Sequence, residues 1–396
     1  MVLGVTGGIA AYKTVQVARD LTALGAQLDV VLTQGATRFV APLSYEGVTG
    51  RSSLTDMFST RGAALHIRVA RDADTVLVAP ATADFVARAA QGRANDLLTT
   101  ILLATRAPVI VAPAMNDRMF DHPQTRANLQ HLEEVLGYRV AGPGSGPLAY
   151  GEGEGPGRML EPDELVEHVG RALESPDLEG RRVLITAGPT REPLDPVRYL
   201  GNRSSGRMGQ ALARAAWRRG GEVSLVSGPS QLDAPPGVEW VAVETALEMV
   251  EAVRERAERA DLVIYAAAVA DYRPAAPHDE KVKRSRSGPR FQVELEANPD
   301  VSQEVRPLLG AGTVTVGFAL ETDALREGAG RKLEEKGFDL IVANDARAPG
   351  AGFEVDTNRV LILHAGGGEE ELPLLSKDQV AEEILERALK VAARRW

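Results

Sequence analysis

Twice along the chain, a short uninterrupted apolar run breaks at glycine and gives way to a helical repeat. VLGVTGG (2–8) leads into IAAYKTVQVARDLTALG (9–25), and RRVLITAGPT (181–190) restarts the pattern. A strand with no polar alternation must be buried on both faces, which happens in a parallel sheet covered by helices on either side. QLDVVLT, DTVLVAP, PVIVAPA and YRVAGP extend the series in the first half. EVSLVSGP, DLVIYAAA, TVTVGFA and DLIVAND extend it in the second. ALARAAWRRG, ALEMVEAVRERAERA and ALREGAGRKLEEKG read as intervening helices, and RVLILHAGGGEEELPLLS as a closing hairpin. The Ser, Pro, Asp and Gly of ALESPDLEGR interrupt the pattern and mark a linker. The expected fold class is α/β: two tandem three-layer domains with Rossmann-like parallel sheets, at 1–171 and 181–396, joined by a linker at 172–180. The 396 residues leave room for two or three domains of about 150 residues each.

Charge and composition narrow the function. A net charge of −10 argues against a broad nucleic-acid or anionic-membrane surface. No apolar run approaches the roughly 18 residues of a membrane span, and the sequence opens on a strand rather than a signal segment, so a cytoplasmic protein is expected. The absence of cysteine removes disulfides, thiolate metal sites and cysteine nucleophiles together. The six histidines form no HExxH-type pair, which argues against a zinc enzyme. Lysine is scarce, yet Lys281, Lys283, Lys332 and Lys336 fall close together. Such point charges suit phosphate chemistry, although a solvated helix face would look the same.

In doubly wound sheets, ligands bind beyond the carboxyl ends of the strands. The residues there are Gly7-Gly8-Ile9, Thr33, Ala79-Pro80-Ala81-Thr82-Ala83-Asp84 and Pro113-Ala114-Met115-Asn116. Glycines and threonine hydroxyls near helix N-termini can hold a phosphate. GVTGGIAAYKT is neither G-x-G-x-x-G nor a P-loop, since Tyr12 stands where the latter needs glycine. The second glycine turn, AGPTREPLDPVRYLGNRSSGRMGQ, is far longer than a dinucleotide turn. Taken alone, His66 would ordinarily be a surface or satisfied core residue.

In combination these segments are recognisable. VTGGIAAYK, HIRVARDAD, APATADFVARAAQGRANDLLTT and PAMNDRMF resemble the flavin-dependent cysteine decarboxylases. Specifically, they resemble the amino-terminal half of the bacterial bifunctional phosphopantothenoylcysteine decarboxylase/phosphopantothenate–cysteine ligases. ITAGPTREPLDPVRYLGNRSSGRMG, AAAVADYRP, EKVKR, ANPD, VGFALET and KLEEKGFDLIVAND resemble the ligase half of the same family. The resemblance implies two steps of coenzyme A synthesis. The ligase half would activate the carboxylate of 4′-phosphopantothenate with CTP and Mg2+, and cysteine would displace CMP from the acyl-cytidylate. The decarboxylase half would use FMN to oxidise the cysteinyl thiol, release CO2 and re-reduce the enethiol to 4′-phosphopantetheine.

The same resemblance assigns roles. His66 would be the base in flavin oxidation, a task suited to imidazole, and Asn116 would orient the substrate carboxylate. Phe120 closes the P-x-M-N-x-x-M motif where the family usually has Trp or Tyr. Gly7, Gly8, Ile9, Thr33, Thr82 and Ala83 would contact FMN. In the ligase half, Asn202 would handle the acyl-cytidylate, and Asp271 would sit by the nucleotide and its Mg2+. Lys281 would neutralise phosphate charge, with Lys283 and Arg284 close by. Tyr265, Ala266, Ala267, Asn298, Pro299, Asp300, Val301, Phe318, Lys332 and Lys336 complete the implied CTP positions. Lys332 and Lys336, four apart on a helix, would share a side. The family's flavoprotein halves form trimers with FMN near the subunit interfaces, and its ligase halves pair as dimers, so the resemblance implies a homo-oligomer, a dodecamer. Its members usually begin several residues ahead of the first strand, whereas this sequence starts within it.

One position departs from the pattern. In GPGSGPLAYGEGEGPGRM (142–159) the family places a cysteine that gives a proton as the enethiol is reduced; here Tyr150 occupies that place. A phenol titrates near 10 against about 8.5 for a thiol. Three readings stay open: Tyr150 donates the proton, water or another group does so beneath a closed loop, or the first half stops short. The last would make the chain an active ligase fused to an impaired or regulatory flavin-binding half.

Overall fold

The computed structural model describes residues 1–58, 64–283, 288, 290–321, 325–345 and 355–396. The chain divides into two compact units, Met1–Glu174 and Ser175–Trp396.

The first unit is built on five parallel strands: β1 (Val2–Val5), β2 (Asp29–Leu32), β3 (Val76–Ala81), β4 (Val109–Pro113) and β5 (Arg139–Val140), in the order β2-β1-β3-β4-β5. Alternate residues of one strand enter different cores, which explains the unbroken apolar runs. Val76 and Val78 pack with Leu65, Phe85 and Ile101 on one face. Leu77 and Ala79 pack with Val17, Tyr45 and Leu165 on the other. The sheet is thus covered by helices on both sides, as its pattern requires. Local signals fix the helix starts: the Thr82 hydroxyl accepts from the Phe85 amide, and Asp96 and Thr99 form a capping box for Leu97–Ala104.

The glycine-rich stretch is partly ordered by pairing. Strand β6 (Gly144–Pro147) runs antiparallel to β7 (Glu154–Arg158), with the tip at 148–153. Gly157 is required here. Its φ is +125°, and a Cβ would lie 2.3 Å from the Met115 carbonyl oxygen. The close approach lets the Met115 amide donate to the Gly157 carbonyl at 2.9 Å, tying the hairpin to the turn after β4.

The second unit carries an eight-stranded sheet. Six strands are parallel, in spatial order Glu239–Ala242, Glu222–Ser227, Arg182–Ala187, Leu262–Tyr265, Val314–Glu321 and Leu340–Asp345. The expected closing hairpin, Leu361–His364 with Glu369–Glu371, adds two antiparallel strands at one edge. Again both faces are buried. Ile185, Ile264 and Val342 pack under helices Arg207–Arg218 and Lys377–Ala392, while Leu184 and Val263 pack under Ala246–Ala257. Three antiparallel ribbons lie outside this sheet: Arg191–Pro193 with Tyr199–Gly201, Tyr272–Pro274 with Leu295–Ala297, and Thr357–Asn358 with Leu375–Ser376. Neither these ribbons nor the last helix is among the elements expected from the apolar runs.

Candidate functional sites at the strand ends

In the first unit, a cavity of about 510 Å3 opens at the carboxyl ends of the strands. Gly8 and Ile9 follow β1, Thr82 and Ala83 follow β3, and Asn116 follows β4; all five line it. The β6–β7 hairpin supplies another wall through Leu148, Ala149 and Arg158. Thr6 knits the floor: its hydroxyl donates to the Pro80 carbonyl at 2.6 Å and accepts from the Thr82 amide at 3.2 Å. Asn116 caps the short helix after β4, its side-chain oxygen accepting from the Arg118 amide at 3.0 Å.

Two expected cofactor residues support the cavity without lining it. A Cβ on Gly7 would come within 2.8 Å of the Gly35 backbone, so glycine lets those two turns touch. The Thr33 hydroxyl accepts from the Ala36 amide at 3.2 Å and holds the turn after β2. His66 is half-buried at the start of helix Leu65–Arg71 and is not among the residues lining this cavity. Tyr150 stands fully exposed at the hairpin tip, likewise outside the lining. Phe120, in contrast, is buried, with the Arg126 guanidinium 4.1 Å from its ring centroid.

The cavity wall also holds a charged group that the sequence did not single out. Lys13 Nζ lies 2.7 Å from Glu161, which also accepts from Arg158. Partial burial pushes the Glu161 pKa up, but the two cations prevail and hold it below the usual value. Lys13 and Glu161 are 148 residues apart, so no local pattern could pair them.

The second unit has two adjoining cavities, of about 350 and 280 Å3, that share Ala267, Val269, Asp271 and Phe318. The larger takes Asn202, Ala266 and Lys332. The smaller takes Tyr265, Asn298, Pro299, Asp300, Val301 and Lys336. Lys332 and Lys336 thus serve different cavities, although their spacing puts them on one side of a helix. Asn202 is held by its amide, which donates to the Val269 carbonyl at 2.8 Å. The Asn298 amide donates to the Ala270 carbonyl at 2.8 Å. Asp300 caps helix Val301–Val305 and pairs with Lys336 at 2.7 Å. Burial alone would raise the Asp300 pKa; Lys336 and the cap hydrogen bonds bring it below the usual value.

Lys281 is exposed and lines neither cavity. Its loop is anchored next door: the Val282 amide donates to the buried Asp195 carboxylate at 3.1 Å, and Arg198 donates to the Val282 carbonyl at 2.9 Å. Arg198 also holds the Asp195 pKa far below the usual range. Arg284 lies outside the described residues. Arg207, Asn344, Asn358 and Lys377 line the larger cavity, although the sequence reading passed over them. Lys377 is buried; burial and the neighbouring Arg207 lower its pKa, while Asp356 acts the other way. Asn344, at the end of a parallel strand, was accessible to the strand-end rule. Among the described residues, no cluster of three or more His, Asp or Glu is placed to hold a metal ion. No described helix is long and apolar enough to cross a membrane.

Two family models give the class of protein that carries these two cavity-bearing sheets. Residues 1–174 match the flavoprotein family, and residues 178–391 match the DNA/pantothenate metabolism flavoprotein C-terminal domain. The chain is 46% identical to the coenzyme A biosynthesis bifunctional protein CoaBC of Vibrio cholerae serotype O1, across 97% of this chain and 96% of that one. It is also 46% identical to the protein of the same name from Escherichia coli K12, across 98% and 95%. A solved structure of the C-terminal domain of such a protein is 41% identical, covering 56% of this chain and all of its own, with a TM-score of 0.48. The chain belongs to the family of coenzyme A biosynthesis bifunctional proteins.

Proposed function

We propose that the chain catalyses two consecutive steps of coenzyme A synthesis. The second unit joins cysteine to 4′-phosphopantothenate with CTP. The first unit decarboxylates the product to 4′-phosphopantetheine. The observation that carries this reading is the gathering of Asn202, Asp271, Phe318 and Lys332 around one cavity at the ends of parallel strands. The near full-length match favours two working halves over a ligase fused to a regulatory flavin-binding half.

In the ligase half, the larger cavity takes the activated carboxylate and phosphates. Asn202, already fixed by backbone carbonyls, is placed to steady the acyl-cytidylate oxygen as charge develops. Lys332, Arg207 and Lys377 supply positive charge. The smaller cavity takes the cytidine between Tyr265, Ala267, Asn298, Pro299, Asp300, Val301 and Lys336, with Ala266 beside it. Mg2+ typically keeps waters and uses one or two carboxylates with substrate phosphates. That habit suits Asp271 as its protein ligand, given the lack of an all-protein cluster among the described residues. Lys281 acts from its anchored loop once substrate is present.

In the decarboxylase half, the residues fit FMN. Gly8 lines the cavity, and a Cβ there, at van der Waals distance of 3.4 Å from Thr82 Cγ2, would take up space that glycine leaves open. Gly7, Gly8, Ile9, Thr33, Thr82 and Ala83 form or support that cradle. When bound, the flavin accepts the electrons of thiol oxidation and returns them. Asn116 orients the substrate carboxylate, and His66 takes the proton. His66 and Tyr150 stand outside the single-chain cavity, so we place the complete site at a contact between copies. A homo-oligomer, a trimer of the first unit within a dodecamer, supplies that contact. Water beneath the hairpin replaces the proton donor that the family's cysteine provides.

A mass-resolved product assay tests this reading, using protein, FMN, Mg2+, CTP, cysteine and 4′-phosphopantothenate. Phosphopantetheine is the expected main product. Accumulated phosphopantothenoylcysteine would mean that only the ligase half works. No CTP consumption would reject the reading.

A further inference from the structure

The smaller cavity of the second unit contains an unexplained group. Tyr265 ends the strand Leu262–Tyr265 and lines this cavity. Its hydroxyl is buried and, among the described residues, has no hydrogen-bond partner. A buried hydroxyl left unpaired costs stability, so a fold that keeps one invites a reason. Burial, with the Asp300 carboxylate adding to it, pushes the phenol pKa up, which keeps the proton on the oxygen.

Apart from Asp271, assigned above to Mg2+, the other polar side chains named in the wall are already engaged. Asn298 donates to the Ala270 carbonyl, and its oxygen accepts from Arg273 at 3.1 Å. Asp300 is occupied by Lys336 and by the Ser302 amide and hydroxyl. The Thr186 hydroxyl accepts from the Ala267 amide at 3.2 Å. The remaining wall is flat and apolar. Phe338 stands against Tyr265, with ring centroids 5.6 Å apart, and Phe318 and Pro299 complete it. A cavity of about 280 Å3 with aromatic walls and one unused hydroxyl suits a planar heterocycle with a polar edge.

We propose that the Tyr265 hydroxyl pairs with the polar edge of the pyrimidine base of the nucleotide, making Tyr265 a determinant of nucleotide affinity through its side chain. This rests on the reading that the second unit uses CTP. The hydroxyl has no bond to lose among the described residues, so its removal affects binding and stability in opposite senses.

The test is Tyr265→Phe in the full-length protein, measured by calorimetric titration with CTP and by thermal unfolding without ligand. The expected result is a Kd for CTP weakened by about tenfold, with an unfolding temperature equal to or above the parent's. A Kd unchanged within about twofold, below the usual worth of a hydrogen bond, would overturn the proposal. So would a lowered unfolding temperature, because it would show that the hydroxyl serves the fold. If the parent itself binds no CTP, the nucleotide reading fails first and takes this inference with it. If the parent binds and the variant matches it, only the role of Tyr265 falls.

Discussion

The two units use one architectural rule and reach different degrees of completeness. Both place their cavities past the carboxyl ends of parallel strands. In the second unit a single chain brings nearly every expected residue to the cavity walls, with Lys281 on a loop beside them. In the first unit the expected cofactor cradle assembles, but the two residues assigned proton chemistry stand elsewhere: His66 on a neighbouring helix and Tyr150 at the hairpin tip. A strand-end residue is fixed by its own sheet, whereas a helix or hairpin residue can be presented to another copy. On the proposed reading, the decarboxylase site is therefore the one completed between copies.

The sharpest way to break this comparison is His66→Gln. Loss of a general base lowers decarboxylation by roughly a thousandfold, with CTP consumption unchanged. Asn116→Ala disables the cavity of its own chain. Mixing the two variants under conditions that exchange subunits restores part of the activity if one copy's His66 serves another copy's cavity. Mixtures no more active than either variant would place His66 with its own cavity and remove the contrast.

A smaller effect is expected from Lys336→Met in the ligase half. It leaves Asp300 without its cation, and the KM for CTP rises about tenfold, with decarboxylation of supplied phosphopantothenoylcysteine unchanged. The same pair sets a pH dependence. The folded pKa of Asp300 is depressed, so its stabilisation is present above the unfolded pKa, near 3.9 for a free aspartate, and disappears as pH falls through the folded value. Parent and variant should therefore differ in unfolding midpoint at neutral pH and converge in acid. A constant gap down to the acid limit would show that the pair contributes no such term.

The fold was legible where burial dictates sequence. Continuous runs such as VLVAP and VLITA announce strands covered on both faces, and their glycine ends announce the turns. The β6–β7 hairpin was not legible, because GSGP and EGPGR carry no side-chain alternation and pair by backbone alone. The final helix was legible in principle: Ser376 and Gln379 form a capping box at its start. At the sites, the strand-end rule singled out Gly8, Thr82 and Asn116, which line the first cavity, and the family resemblance singled out Asp271; the rule could not reveal the Lys13–Glu161–Arg158 cluster, whose members meet only in the folded unit. Neither could it say that Lys332 and Lys336 would part between two cavities. Helical spacing fixes a side but not what borders it.

The smallest effect is expected at Tyr150, where the sequence departs from the family pattern. Tyr150→Phe keeps the ring and removes only the phenolic proton. The side chain is fully exposed within the chain, and Leu148 and Ala149, rather than Tyr150, face the cavity. A phenol, titrating near 10 against about 8.5 for a thiol, is also the weaker acid of the two. The rate of phosphopantetheine formation should therefore stay within about twofold of the parent's, less than the usual contribution of a general acid. Gly157→Ala, which would push the hairpin off the Met115 carbonyl, should cost far more. A hundredfold loss, of the order expected when a catalytic proton donor is removed, in Tyr150→Phe alone would reverse this. It would mean that the assembled enzyme folds the tip inward and that the phenol has taken over the thiol's task.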